Sequence, residues 1–137
     1  MNEDIIKTVT VRLFDEIKDT IAIFNMMLLE KDWIDYCGND AKIGAYNKAL
    51  VNDIVYVVYE DNKLCGFLRA KDDNGFGMYI WDLLVHKDYR GKNYGKQLID
   101  QACKDYSGTV YVMSDVDNYY SAQGYNEIAG RIIIVRK

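Results

Sequence analysis

The sequence predicts an α/β domain built on one mixed, mostly antiparallel sheet, with elements in the order β-α-α-β-β-β-α-β-α-β. Three observations predict it. The stretch Met78–Lys104 reads as a strand, a glycine-bearing loop and a helix. Ahead of it, two strand-like runs joined by turn residues lead into that strand as a meander. Behind it, the helix is followed by another short strand-like run, so the connection is a crossover and the new strand lies parallel to its neighbour.

Taken in order, Lys7 to Leu13 alternates Thr8, Thr10 and Arg12 against Val9, Val11 and Leu13, the pattern of a half-buried strand. Asp15 is placed to cap the next helix, whose apolar stripe runs through Ile17, Ile21, Phe24, Leu28 and Leu29 to about Glu30. A weaker helix opens at Asn39 or Asp40 and continues through Ile43, Tyr46 and Leu50. Between them Lys31–Gly38 reads as a loop, aromatic and acidic. Either its aromatics tuck onto the core, or Trp33, Asp35 and Tyr36 form a wall that offers an aromatic face and a carboxylate to an amine. Ile54–Tyr59 and Leu64–Ala70 are β-prone runs around the turn Glu60–Lys63, a hairpin. Asp72–Gly75 is a second turn leading into the strand Met78–Val85. Thr109–Met113 is a short strand, Val116–Gln123 a short helix stopped by Gly124, and Ile132–Val135 a final strand.

Composition narrows the function. A chain of 137 residues, half of them hydrophobic and 28% charged, suits a single domain over residues 1–137. A net charge of −4 argues against a general nucleic-acid binder and favours a cationic partner. Acids precede any apolar run at the N-terminus, so no signal peptide is expected, and no run approaches the ~18 apolar residues of a membrane span. Cys37, Cys65 and Cys103 are odd in number and far apart, as reduced thiols in a cytoplasm are. With His86 the single histidine, no metal site is expected. Monomer and homodimer both stay open.

The loop between Val85 and Leu98 carries the chemistry. A strand that feeds a helix through such a loop presents unpaired backbone N–H groups at the helix's positive end, and Arg90, Lys92 and Lys96 surround it. A pyrophosphate is the natural guest. A Walker A loop is absent, and only Gly91 and Gly95 are present of the three glycines a dinucleotide fingerprint needs. The run Val85-His86-Lys87-Asp88-Tyr89-Arg90-Gly91-Lys92-Asn93-Tyr94-Gly95-Lys96 resembles motif A of the GNAT acetyltransferases, in which R-G-x-G-x-G opens the helix. Asn93 stands where the family has its central glycine. Asn is the non-glycine residue best suited to a left-handed backbone, so the loop is expected to keep its shape. Tyr119-Tyr120-Ser121-Ala122-Gln123-Gly124-Tyr125 is similar to the family's tail motif, and Gly66–Arg69 through Asp82 looks like a branch of small bacterial and plastid members. The resemblance covers roughly residues 50 to 130.

That resemblance implies a small bacterial single-domain GNAT member, with a sheet of six to seven strands, about four helices, and acetyl-CoA as cofactor. It places pantetheine and the acetyl oxygen on backbone N–H groups of Leu83, Leu84 and Val85, and pyrophosphate on the amides from Arg90 or Gly91 through Lys92, Asn93, Tyr94, Gly95 and Lys96. Tyr120 matches the tyrosine that protonates the departing thiolate, with Tyr119 as the fallback. The amine must also lose a proton. Asp82 is the one carboxylate in its strand, opposite Trp81 and Leu83 by alternation. It is open to three roles: general base, anchor for a cationic amine beside Trp81, or buried acid paired with Arg69. Asp35, Asp115 and Asp117 are further candidates for water-mediated deprotonation. The expected activity is transfer of an acetyl group to a small primary amine by direct attack in a ternary complex. A protein lysine or N-terminus as acceptor, and a non-catalytic acyl-CoA-binding role, are the rival readings.

Overall fold

The computed structural model describes residues 6–114, 119–127 and 133–136. Strand β1 (Val9–Leu13) is followed by helices α1 (Glu16–Met27), α2 (Ile34–Cys37) and α3 (Asp40–Asn52). The meander β2 (Ile54–Glu60), β3 (Lys63–Asp72) and β4 (Met78–Val85) comes next, then α4 (Tyr94–Asp105) and β5 (Val110–Val112). The sheet order is β1-β2-β3-β4-β5, antiparallel throughout except for the parallel pair β4–β5. The mixed sheet follows from the crossover through α4.

Several expectations need correction. The described sheet has five strands rather than six or seven. Ile132 lies outside the described residues, and Ile133–Val135 are not in a strand. Of the expected helix Val116–Gln123, residues 116–118 lie outside the described residues and Ser121–Gln123 form a single 3-10 turn. Lys31–Gly38, read as a loop, contains a 3-10 turn (Lys31–Trp33) and α2.

The inward face of α1 also differs. Asp15 caps it as expected, accepting from the Ile17 and Lys18 N–H groups at 3.0 Å each. Yet Ile17 and Ile21 are 94% and 76% exposed, while Asp19, Ile23, Met26 and Met27 face the sheet and only Phe24 of the predicted stripe is buried. The cause is Asp19. Its carboxylate accepts from the Arg12 guanidinium at 2.7 and 2.8 Å, from the Asp15 N–H at 2.7 Å and from the Tyr59 hydroxyl at 2.7 Å. A carboxylate so fully satisfied tolerates burial. Asp19, Ile23, Met26 and Met27 share one helical face, so seating Asp19 turns Ile17 and Ile21 outward.

Two cores sandwich the sheet. On one face Ile23, Phe24, Met27, Tyr46 and Leu50 of α1 and α3 pack on Val55, Val57, Phe67 and Leu84. On the other, Tyr94, Leu98, Ile99 and Ala102 of α4 pack on Tyr56, Val58, Leu68, Met78 and Ile80. No helix among the described residues is long and apolar enough to cross a membrane.

Candidate active site

The site lies where β4 outruns β5. Pairing with β5 covers only Met78, Tyr79 and Ile80, and Met113 N–H donates to the Ile80 carbonyl at 3.3 Å as the last contact of that ladder. Leu83, Leu84 and Val85 continue beyond it, paired on their other side with Leu68, Phe67 and Gly66 of β3. Among the described residues no strand pairs the free edge of Leu83–Val85. By alternation the backbone groups of Leu83 and Val85 turn to that edge while those of Leu84 turn to β3, and the Val85 carbonyl there accepts from Arg90 Nε at 3.1 Å, beside the start of α4.

The loop into α4 takes a shape that suits an anion. Gly91 has φ 84°, and Asn93, at φ 63° and ψ 22°, occupies the left-handed region that its resemblance to a glycine position demands. The first helical bond runs from the Gln97 N–H to the Asn93 carbonyl at 3.0 Å, so the Tyr94, Gly95 and Lys96 N–H groups precede the ladder. The helix has no acidic residue in its first turn, so nothing on α4 itself opposes a negative ligand there. A Cβ at Gly95 would come 2.6 Å from the Tyr119 hydroxyl, the end of a half-exposed side chain that would have to shift, with Val85 and Leu83 methyls in ordinary contact at 3.6 and 3.7 Å. These features fit a CoA pyrophosphate and pantetheine held largely by backbone.

The loop's cations are already paired. Arg90 donates to Glu30 at 2.6 Å and, through Nε, to the Val85 carbonyl at 3.1 Å. Lys92 reaches Glu60 at 3.2 Å and Lys96 reaches Asp100 at 2.8 Å. Glu30 and Glu60 are distant in sequence from the loop, which is why the sequence did not reveal these pairs.

Asp82 is buried, and its Oδ2 accepts from Arg69 Nε at 2.6 Å and from the Tyr46 hydroxyl at 2.7 Å. Arg69 also donates to Asp53 at 2.7 Å. Burial works against the Arg69 charge, but the neighbouring Asp82 and Asp53 more than offset it and hold its pKa above the usual value. Burial, with Asp82 alongside, pushes the Tyr46 phenol well above its ordinary range. Tyr46 was legible in the sequence only as a core position of a helix. A β-bulge explains how Asp82 reaches it. Arg69 pairs with Asp82 while Ala70 pairs with Ile80, leaving Trp81 as an extra residue. Ile80 then faces α4, whereas Asp82 and Leu84, of the same parity, face α3 and α1.

The expected acceptor wall is assembled in part. Trp33 packs edge-on to Phe67 at 5.9 Å and lies 5.6 Å from Tyr36, which is 5.4 Å from Tyr46. The wall therefore leads down to Asp82. Asp35 is exposed, 3.8 Å from Lys42, and Trp81 is half-exposed on the bulge. Of the tail tyrosines, Tyr119 brings its hydroxyl to Gly95, while Tyr120 packs against the α4-side core with its ring 4.9 Å from that of Tyr119. Asp115 and Asp117 lie outside the described residues.

The profile of the acetyltransferase (GNAT) domain family matches residues 51–127, more than half of the sequence. The chain belongs to the GNAT acetyltransferase family. It is 29% identical over 99 residues to an N-acetyltransferase of Pyropia yezoensis, ycf52, itself described as uncharacterized; the match covers 68% of this chain and 57% of that protein. The chain thus spans little more than half the length of such relatives. Many solved structures share the fold, among them two aminoglycoside acetyltransferases. One is the aminoglycoside acetyltransferase meta-AAC0020 from an uncultured soil metagenomic sample, in complex with sisomicin (19% identity, 94% of this chain and 97% of that one, TM-score 0.68). The other is aminoglycoside N-acetyltransferase AAC(6')-Iy in complex with CoA (15% identity, 99% of each chain, TM-score 0.70). GNAT acetyltransferases use acetyl-CoA.

Proposed function

We propose that this chain transfers an acetyl group from acetyl-CoA to the primary amine of a small molecule, by direct attack in a ternary complex. The observation that carries the reading is the juxtaposition of two sets of backbone donors: the free edge of Leu83–Val85 and the open first turn of α4 behind left-handed Gly91 and Asn93. Bound acetyl-CoA supplies an activated thioester. Gly91 to Lys96 hold the phosphates through their amides, and Leu83, Leu84 and Val85 align the acyl arm. Tyr120, with Tyr119 beside it, is the proton donor to the sulfur.

On the acceptor side, Trp33 and Tyr36 offer an aromatic face, Asp35 a carboxylate at its rim, and Trp81 a further apolar surface. For Asp82 the double engagement of Oδ2 supports the role of a buried acid paired with Arg69 over that of a base. A net charge of −4 suits a cationic amine. The two aminoglycoside acetyltransferases that share the fold support a small-molecule acceptor. Reduced cysteines support a cytoplasmic setting.

Calorimetric titration with acetyl-CoA, at low and moderate salt, tests the reading on the unaltered protein and on a Gly91→Asp, Gly95→Asp variant. Micromolar binding that the variant abolishes is expected, followed by amine-dependent release of free thiol across a panel of amines. No binding by the unaltered protein overturns the proposal.

A further inference from the structure

Glu60 is a misplaced charge if only electrostatics mattered. It sits beside a loop read above as a phosphate site, and a carboxylate there weakens the attraction for an anion. Yet it is 4% exposed and fully engaged. Its Oε1 accepts from Lys7 Nζ at 2.9 Å, while Oε2 accepts from Lys92 Nζ at 3.2 Å and from the Tyr94 hydroxyl. Lys92 and Tyr94 are the residues immediately before and after Asn93. The Asn93 side chain makes no capping bond, and the Gln97 N–H on the Asn93 carbonyl at 3.0 Å holds only the helix side of the turn. Glu60 itself is firmly set. It ends β2, and the next residue, Asp61, accepts from the Thr8 N–H at 3.0 Å and donates its own N–H to the Thr8 carbonyl at 2.8 Å.

We infer that Glu60 is a positioning residue of the phosphate loop: by gripping Lys92 and Tyr94 it holds the left-handed turn at Asn93 in the shape that receives the cofactor. In this role Lys92 is a tether rather than a phosphate ligand. A glycine at position 93 adopts the same backbone without help, so Glu60 does from β2 what a glycine there does by lacking a Cβ. The inference rests on the acetyl-CoA reading.

Acetyl-CoA is titrated calorimetrically into the unaltered protein, Glu60→Gln, Asn93→Gly and the double variant. Glu60→Gln is expected to lose about tenfold in affinity, and Asn93→Gly in the same chain to restore it to within about threefold. Binding by Glu60→Gln as tight as that of the unaltered protein, or tighter, means that charge dominates and overturns the inference. A loss that Asn93→Gly fails to rescue overturns it too, since a general weakening of the fold does not respond to that one glycine. If Glu60→Gln does not fold by circular dichroism, Tyr94→Phe removes one arm of the grip without stranding a charge. It is then expected to lose affinity and to be rescued in the same way, and unchanged binding overturns the inference. Failure of the unaltered protein to bind acetyl-CoA is a separate result and removes the reading underneath.

Discussion

Arg69, Asp82, Asp53 and Tyr46 form a buried polar node in which each charge depends on the others. Arg69 is 13% exposed and its two carboxylate partners 9% and 5%. Removing Asp82 strips Arg69 Nε and the Tyr46 hydroxyl of their acceptor and leaves Asp53 as the carboxylate beside the buried guanidinium, which costs more than the pair contributes. Asp82→Ala is therefore expected to lower stability by about 3 kcal/mol, read from urea unfolding, whereas replacing Asp82, Arg69 and Asp53 together with apolar residues of similar volume, with Tyr46→Phe, costs much less. Equal losses in the two variants refute the argument. The tail tyrosines call for a different measurement. Tyr120→Phe is expected to lower kcat about 100-fold with acetyl-CoA affinity unchanged, and Tyr119→Phe, whose hydroxyl meets Gly95, to move affinity instead. The reverse pattern assigns the proton donor to Tyr119.

Among the elements, α1 shows a local signal surviving while a facing is reversed. Its start follows from Asp15, so Asp15→Ala is expected to cost about 1 kcal/mol, measured by thermal unfolding. Its facing follows from partners on β1 and β2, Arg12 and Tyr59, which no window along the helix contains. Strand β4 shows the same division. Its length and apolar character are local, but the bulge at Trp81 decides that Asp82 meets Tyr46 rather than the α4 side. The loop ahead of α4 is the contrasting case. Gly91 and Asn93 adopt the left-handed backbone that their residue types favour, so its shape was readable one residue at a time.

For the molecule as a whole, the proposed binding of a polyanion by an acidic chain calls for local donors rather than net charge, and α4's first turn, without an acidic residue, offers them. Its buried carboxylates also set its response to acid. The Lys7 hydrogen bond foremost, then that of Tyr94, lowers the Glu60 pKa from its ordinary 4.5 to about 2. For Asp19, burial acts to raise the pKa, but Arg12, the Asp15 N–H and Tyr59 outweigh it and hold the carboxyl below its usual value. Both carboxyls bind protons more weakly folded than unfolded. The stabilisation from Glu60 is present in full above pH 4.5 and fades as pH falls toward about 2, and that from Asp19 is likewise lost in acid. The urea midpoint is expected to drop across that window, and Glu60→Gln to flatten the drop. An unchanged slope in the variant refutes the assignment.

What was readable along the chain was whatever depends on neighbours in sequence: the meander, the crossover that makes β5 parallel, the cap at Asp15, and the left-handed turn at Gly91 and Asn93 ahead of α4. Spacing and backbone preference act over a few residues, and there the residue types suffice. The buried face of α1, the bulge at Trp81, Tyr46 beneath Asp82, and the hold of Glu60 and Glu30 on the loop were settled only once distant segments met. Burying a charge demands partners, and the partners of Asp19, Asp82 and Glu60 lie up to 40, 36 and 53 positions away.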